Sequence, residues 1–116
     1  MLVHDFCILD SFDETKDYSQ YHDLNDELIH IHDDIVLPLN NDYLRGVKTY
    51  FHSAARPSCG LAYWGVTLIP PSSFRDMQSC LEKYMRVHGK NAQVDKLIFL
   101  IEKARKKNKH IIHYGI

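Results

Sequence analysis

Several features are scarce in this chain of 116 residues. Cysteine occurs three times (Cys7, Cys59, Cys80), an odd number with no C-x-x-C spacing, so the sequence carries no pattern for a disulfide framework. Reduced, mostly buried thiols are the expectation. No apolar run approaches the roughly 20 residues that a membrane span needs. The opening stretch, MLVHDFCILDSFDE, has acids where a signal peptide needs a basic start and an unbroken apolar core, which points to the cytoplasm. Internal repeats and low-complexity segments are missing too. A charged fraction of 25% and a hydrophobic fraction of 45% are ordinary for a folded protein and exclude general disorder. The length predicts a single domain over residues 1–116, large enough for one core without metal or disulfide staples.

Positive charge is nearly absent from the first 43 residues. Lys16 stands alone there against eleven acids: Asp5, Asp10, Asp13, Glu14, Asp17, Asp23, Asp26, Glu27, Asp33, Asp34 and Asp42. From Leu44 onward thirteen Lys and Arg meet only Asp76, Glu82, Asp95 and Glu102. The overall net charge of −1 therefore hides an acidic third followed by a basic remainder. Either the two parts neutralise each other across the fold, or an acidic face is offered to a basic partner.

Apolar spacing predicts an α+β fold. The centre of the pattern is GLAYWGVTLIPPSS, Gly60–Ser73, which holds the only tryptophan, Trp64. Its β-branched and aromatic run predicts a buried central strand over 61–69, and two prolines stop it. Gly65 within it suggests a bulge or the close approach of a neighbouring element. LVHDFCIL, Leu2–Leu9, suits an N-terminal strand or a helical turn, and HIIHYGI, His110–Ile116, reads as a final strand beside the central one. Residues 11–21 read as a polar loop. Leu24, Leu28, Ile31 and Ile35 share one helical stripe, with Asp23, Asp26 and Glu27 in the favourable first turn and Pro38 as its stop. Asn40 or Asn41 is placed to cap a second helix carrying Leu44, Val47, Phe51 and Ala54.

Ser72 or Ser73 is placed to cap a third, with Ser73 and Asp76 imitating a capping box. Its stripe is Phe74, Met77, Leu81, Tyr84, Met85 and His88, and Gly89 closes it. A fourth helix spans about Ala92–Lys107, its basic last turn matched to the helix dipole. Two helices between the central and final strands return the chain antiparallel. The expected architecture is thus a small, mostly antiparallel sheet packed with about four helices.

Eight histidines raise the question of a metal. On the predicted first helix His30 and His32 point about 200° apart and cannot chelate one ion, although on a strand they can. Neither HExxH nor a Cys/His ligand set occurs, so no metal and no cofactor is expected. His110 and His113 with Lys109 and Tyr114 suggest metal-independent, ribonuclease-like acid–base chemistry. Three residues apart on a strand they face opposite sides, so His4, His52 or His88 would have to come alongside. Cys59 as a thiol nucleophile lacks any local signature. The run KARKKNK, Lys103–Lys109, is the densest basic patch. It suits either phosphate contact or a solvated helix end, and a total charge near zero counts against nonspecific nucleic-acid binding.

The acidic third is the most extensive signal. Asp13, Glu14 and Asp17 on the loop, with Asp23, Asp26, Glu27, Asp33 and Asp34 on the helix, form a negative field; Tyr18 and Tyr21 supply rigid contact area. GLAYWGVTLIPPSS followed by two helices and IIHYGI looks like short cytoplasmic bacterial proteins. In size, acidity and lack of a catalytic signature the chain resembles the immunity proteins that neutralise bacterial toxins delivered between cells. That resemblance implies a binding protein whose partner is a cognate basic toxin, plausibly a nuclease, held by those ten residues and blocked directly. The alternatives are a small histidine-based phosphodiesterase and a homo-oligomeric regulator whose acidic face meets another copy's basic face.

Overall fold

The computed structural model describes residues 2–21 and 28–116. Its centre is a six-stranded, wholly antiparallel sheet in the order β2-β1-β6-β5-β3-β4. The strands are β1 (Val3–Ile8), β2 (Ile29–His32), β3 (Lys48–Phe51), β4 (Pro57–Cys59), β5 (Val66–Ile69) and β6 (Ile111–Tyr114). Three helices, α1 (Asp33–Asp42), α2 (Phe74–His88) and α3 (Ala92–Lys107), complete an α+β fold among the described residues, one helix fewer than the apolar spacing predicts. First and last strands meet at the middle of the sheet, where Phe6 faces His113 and Ile8 faces Ile111.

Alternation along the strands divides the core in two. One sheet face presents Phe6, Ile8, Ile31, Ile69 and Ile111 to Phe74, Met77, Leu81, Val94, Leu97 and Ile101 of the helices. The other presents Cys7, Leu9, Val66, Leu68 and Ile112, and Tyr18 of the N-terminal loop closes over them. Burial of each large apolar side chain is worth about 1.5–3 kcal/mol, so a sheet covered on both sides draws on nearly every inward position.

The second half of the chain folds as its spacing predicts. Asn91 caps α3, its Oδ1 accepting from the backbone N–H of Gln93 at 2.9 Å and Val94 at 3.2 Å. Gly89 ends α2 at φ 91°, a conformation that a Cβ disfavours. The cap on α2 differs from expectation. A 3₁₀ turn, Pro71–Ser73, leads into the helix, and the Ser73 hydroxyl donates to the Lys48 carbonyl at 2.6 Å. Ser73 thereby ties α2 to β3 instead of forming a box with Asp76.

The first half departs from the helical reading. Ile29–His32 is a strand: its backbone pairs with β1, in the register Val3 to His32 and Phe6 to Ile29. Ile29 and Ile31 reach the helix-side core at a period of two, so Ile31 of the predicted stripe is buried by strand alternation with Ile29 and not by helical spacing from Leu28. Leu24 lies outside the described residues. Pro38 falls inside α1, where the carbonyl deprived of a partner is that of Asp34 on the exposed first turn. The expected second helix is replaced by the β3–β4 hairpin. Asn40 does not cap a helix there; its side chain brackets Leu61, accepting from the N–H at 2.8 Å and donating to the carbonyl at 3.0 Å.

The central strand is also shorter than the aromatic run suggests. Residues 61–65 form a turn, and β5 begins only at Val66. The turn is clasped by the C-terminus: Gly115 N–H donates to the Gly65 carbonyl and Ile116 N–H to the Tyr63 carbonyl, both at 2.8 Å. Trp64 projects outward with 77% of its surface exposed, where the sequence had suggested a buried strand residue. Gly65 is a point of close approach, as expected of it: a Cβ there would run into the ring of His52.

Gly115 sits against the carbonyls of Tyr63 and Ala62, and a Cβ would lie 2.7 Å from the latter. Gly115→Ala must push one backbone segment off another, which is expected to cost about 1–3 kcal/mol in urea unfolding. Gly46, with open space around its Cβ position, is the control; Gly46→Ala should fall within about 0.5 kcal/mol of the parent. Equal stability of the two variants would contradict the clasp.

Candidate functional site

Two groups of side chains stand out, one sealed and one exposed. The sealed group begins with His4 and His113, both with 0% exposure. Period-two alternation puts His4 on the helix side of β1 with Phe6 and Ile8, and cross-strand pairing puts His113 beside Thr67. The rings are nearly parallel, with centroids 5.1 Å apart and planes 12° from parallel. His4 Nδ1 lies 2.9 Å from His113 Nε2, His4 Nε2 lies 2.9 Å from Asp33 Oδ1, and His113 Nδ1 lies 3.0 Å from Thr67 Oγ1.

Bond direction follows from what each atom can do. The Asp33 carboxylate only accepts, so His4 donates from Nε2. With one proton on each ring, His4 Nδ1 must accept from His113 Nε2–H, and His113 Nδ1 must accept from the Thr67 hydroxyl. Thr67 Oγ1 in turn accepts the Ala62 N–H at 2.8 Å. Tyr63 lies near Asp33 and sets its ring edge-on to His4 at 5.4 Å. The His4 hydrogen bond, helped by the neighbouring Tyr63, holds the Asp33 carboxyl below its usual range, and the same carboxylate raises the Tyr63 phenol. Burial is the main cause that puts His113 well below an ordinary histidine.

The exposed group is the N-terminal loop. Asp13, Glu14 and Asp17 face solvent. Asp13 Oδ1 accepts from the Thr15 N–H at 2.9 Å and the Thr15 hydroxyl at 2.6 Å, while Asp17 Oδ1 accepts from the Ser19 N–H at 2.8 Å. These bonds hold both carboxyls below the usual value, so both stay charged at neutral pH. Tyr18, expected as a surface anchor, has only 1% of its surface exposed. Its ring completes the second core, its N–H donates to the His52 carbonyl at 2.6 Å, and its hydroxyl accepts from the Asp13 N–H at 2.9 Å. Tyr18 thus fixes the acidic loop from beneath. Tyr21 is half-buried against it, and Lys16 lies over both rings.

The other expected contact residues separate. Asp34 is exposed beside His32, whereas Asp33 is mostly covered and committed to His4, so it contributes less to an outer surface than its sequence position suggests. Asp23, Asp26 and Glu27 lie outside the described residues. His30 and His32 belong to a strand, not to the helix predicted for them, yet they engage different carboxylates, Asp5 and Asp34. Among the described residues, no three His, Cys, Asp or Glu side chains converge in a way that would hold a metal.

His110 and His113 do not share a site. His110 stacks under Phe12 at 3.9 Å, with its pKa lowered by burial, while His113 turns to the buried chain. Cys7 is buried and Cys59 exposed on the edge strand β4, which departs from the expectation of mostly buried thiols. No helix among the described residues is long and apolar enough to cross a membrane.

Sequence reasoning passed over Trp64 as a site residue and named His4 only as one of three histidines that could come alongside His113, where the structure places it. A histidine alternating with Phe6 and Ile8 was a visible signal, because an imidazole in a buried period-two position must find partners.

The sign of the pH effect follows from His113. Its folded pKa is depressed below the unfolded 6.5, so the unfolded chain takes up a proton more readily and stability falls as pH drops below about 6.5. Asp33 adds a second loss below about 3.8, as its depressed carboxyl is protonated. A His113→Gln variant should start less stable and show a shallower decline of urea midpoint from pH 7 to 5. Parallel declines in the two proteins would remove His113 from this account. The chain matches no protein-family model, no curated protein and no solved structure.

Proposed function

We propose that this chain is a protein-binding inhibitor, most concretely a cytoplasmic immunity protein that neutralises a basic bacterial toxin such as a nuclease by direct contact. The observation carrying this reading is the exposed, charged trio Asp13, Glu14 and Asp17 on a loop held by its own Asx-type hydrogen bonds and by buried Tyr18. A fixed negative surface speeds encounter with a cationic protein and selects against other partners, without the entropy cost of ordering a loose loop. Asp34 extends the charge, and Asp23, Asp26 and Glu27 belong to the same acidic stretch of sequence. The histidine-based phosphodiesterase is the weaker reading, since neither His4 nor His113 presents any surface to a substrate.

The test uses the immobilised chain in a lysate of its native host at low salt. A single basic protein should be retained stoichiometrically, should arrest bacterial growth when expressed alone, and should be silenced by this chain. The triple variant Asp13→Lys, Glu14→Lys, Asp17→Lys should slow association about tenfold or more while leaving the unfolding midpoint near that of the parent. Undiminished binding by that variant, or a captured protein with no toxicity, would overturn the proposal.

A further inference from the structure

The acidic loop and the start of α1 are far apart in sequence, yet contacts connect both to one turn. Asp17 lies in the field of His52, whose charged form lowers the carboxyl further. His52 holds a positive φ of 70°, accepts the Tyr18 N–H, donates its own N–H to the Val66 carbonyl, and lays its ring on Gly65. Gly65 adjoins Trp64. On the other side Trp64 meets Tyr63 edge-on at 4.8 Å, and Tyr63 packs edge-on against His4, which is bonded to Asp33, next to exposed Asp34. The turn bearing the only tryptophan therefore stands between the two groups of carboxylates.

We infer that Trp64 is the apolar centre of the partner-binding surface, with Asp17 and Asp34 in its charged rim, and that the occupant is a cationic protein surface. This rests on the binding-protein reading above and adds to it a residue that the charge pattern alone does not contain. Three observations carry it. An indole with 77% of its surface in water is unusual for tryptophan, which is highly buried on average. The turn presenting it is rigid: Ala62 bonds to Thr67, Tyr63 and Gly65 are clasped by the C-terminal residues, and Asn40 brackets Leu61. A preorganised aromatic loses little freedom on binding, and tryptophan is prominent among residues that dominate interface energy. Flanking carboxylates specify the sign of the partner, because an indole face and a carboxylate both attract a guanidinium or ammonium group.

The experiment places a photo-crosslinking residue in turn at Trp64, Asp17, Asp34 and, as a control, exposed Val87 on α2, in the full chain within the native host. The expected result is one basic protein cross-linked from positions 64, 17 and 34 but not from 87. With that protein purified, Trp64→Ala should raise Kd at least about 30-fold, as loss of a dominant anchor does, with an unchanged melting temperature. Cross-links from 17 and 34 alone, with unchanged Kd for Trp64→Ala, would overturn this inference and leave the acidic binding surface standing. A Trp64 effect alongside an indifferent triple-lysine variant would keep the anchor and remove the loop charges from the reading. Cross-links only to a second copy, to nucleic acid, or to nothing at all would remove both.

Discussion

Placing two imidazoles where no solvent reaches them is the constraint on which the rest of the structure turns. Four ring nitrogens then depend on protein partners alone, and an unsatisfied buried group would cost about 1–3 kcal/mol. Each nitrogen finds one: Asp33, the facing ring, or Thr67. The partners come from β1, β5, β6 and the first residue of α1, while Ala62 and Tyr63 bring in the turn before β5. The chain of bonds thus spans the middle of the sheet from its N-terminal strand to the Trp64 turn. Its ends are set by chemistry. A carboxylate that cannot donate stands at one end and a backbone N–H that cannot accept at the other, and with one proton on each ring every bond between them has its direction set.

That arrangement leaves the opposite sheet face free for a different covering. Helices close one side, where Phe6, Ile8 and Ile111 require bulk, and an acidic loop closes the other through Tyr18 and Phe12. A loop used as a lid over apolar strands must carry its aromatics inward, which places its carboxylates outward. Lys16 contributes by lying over Tyr18 and Tyr21, so the one base of the acidic third strengthens the packing beneath the charges. Fold and surface charge are therefore two consequences of the same segment.

The sequence was legible where several local signals agreed. Helix α3 has Asn91 before it, a continuous apolar stripe within it, and basic residues before its end at Asn108; its predicted and observed bounds coincide. The C-terminal strand and the end of α2 at Gly89 were equally plain, whereas Leu2–Leu9, apolar on both faces, also allowed a helical turn. Ambiguity arose where one spacing served two periods. Ile31 shares a helical stripe with Leu28 and Ile35 and also alternates with Ile29 on a strand, and pairing with β1 decided between them. Val47 and Phe51 behave likewise in the hairpin. Trp64 was misread because β propensity reports fit to a half-buried pleated surface, and the clasp by Gly115 and Ile116 turns the chain away from such a surface. The histidine chain was hidden for another reason: its bonded side-chain pairs lie 29 to 109 residues apart, and only the completed sheet brings them together.

Segregated charge need not survive folding, since opposite signs can pair across a core. Between described residues, one lysine–carboxylate contact within 4 Å joins the acidic and basic parts, Lys109 to Asp10 at 3.7 Å. The exposed loop carboxylates are instead satisfied by neutral donors, the N–H groups of Thr15 and Ser19 and the Thr15 hydroxyl. A hydrogen bond from a neutral group stabilises the anion without cancelling it, whereas an ion pair would do both. The effect of these local turns is to lower the carboxyl pKa, immobilise the charge and leave its field intact beyond the surface. The negative charge written into the loop at Asp13 and Asp17 thereby becomes negative charge on the folded surface.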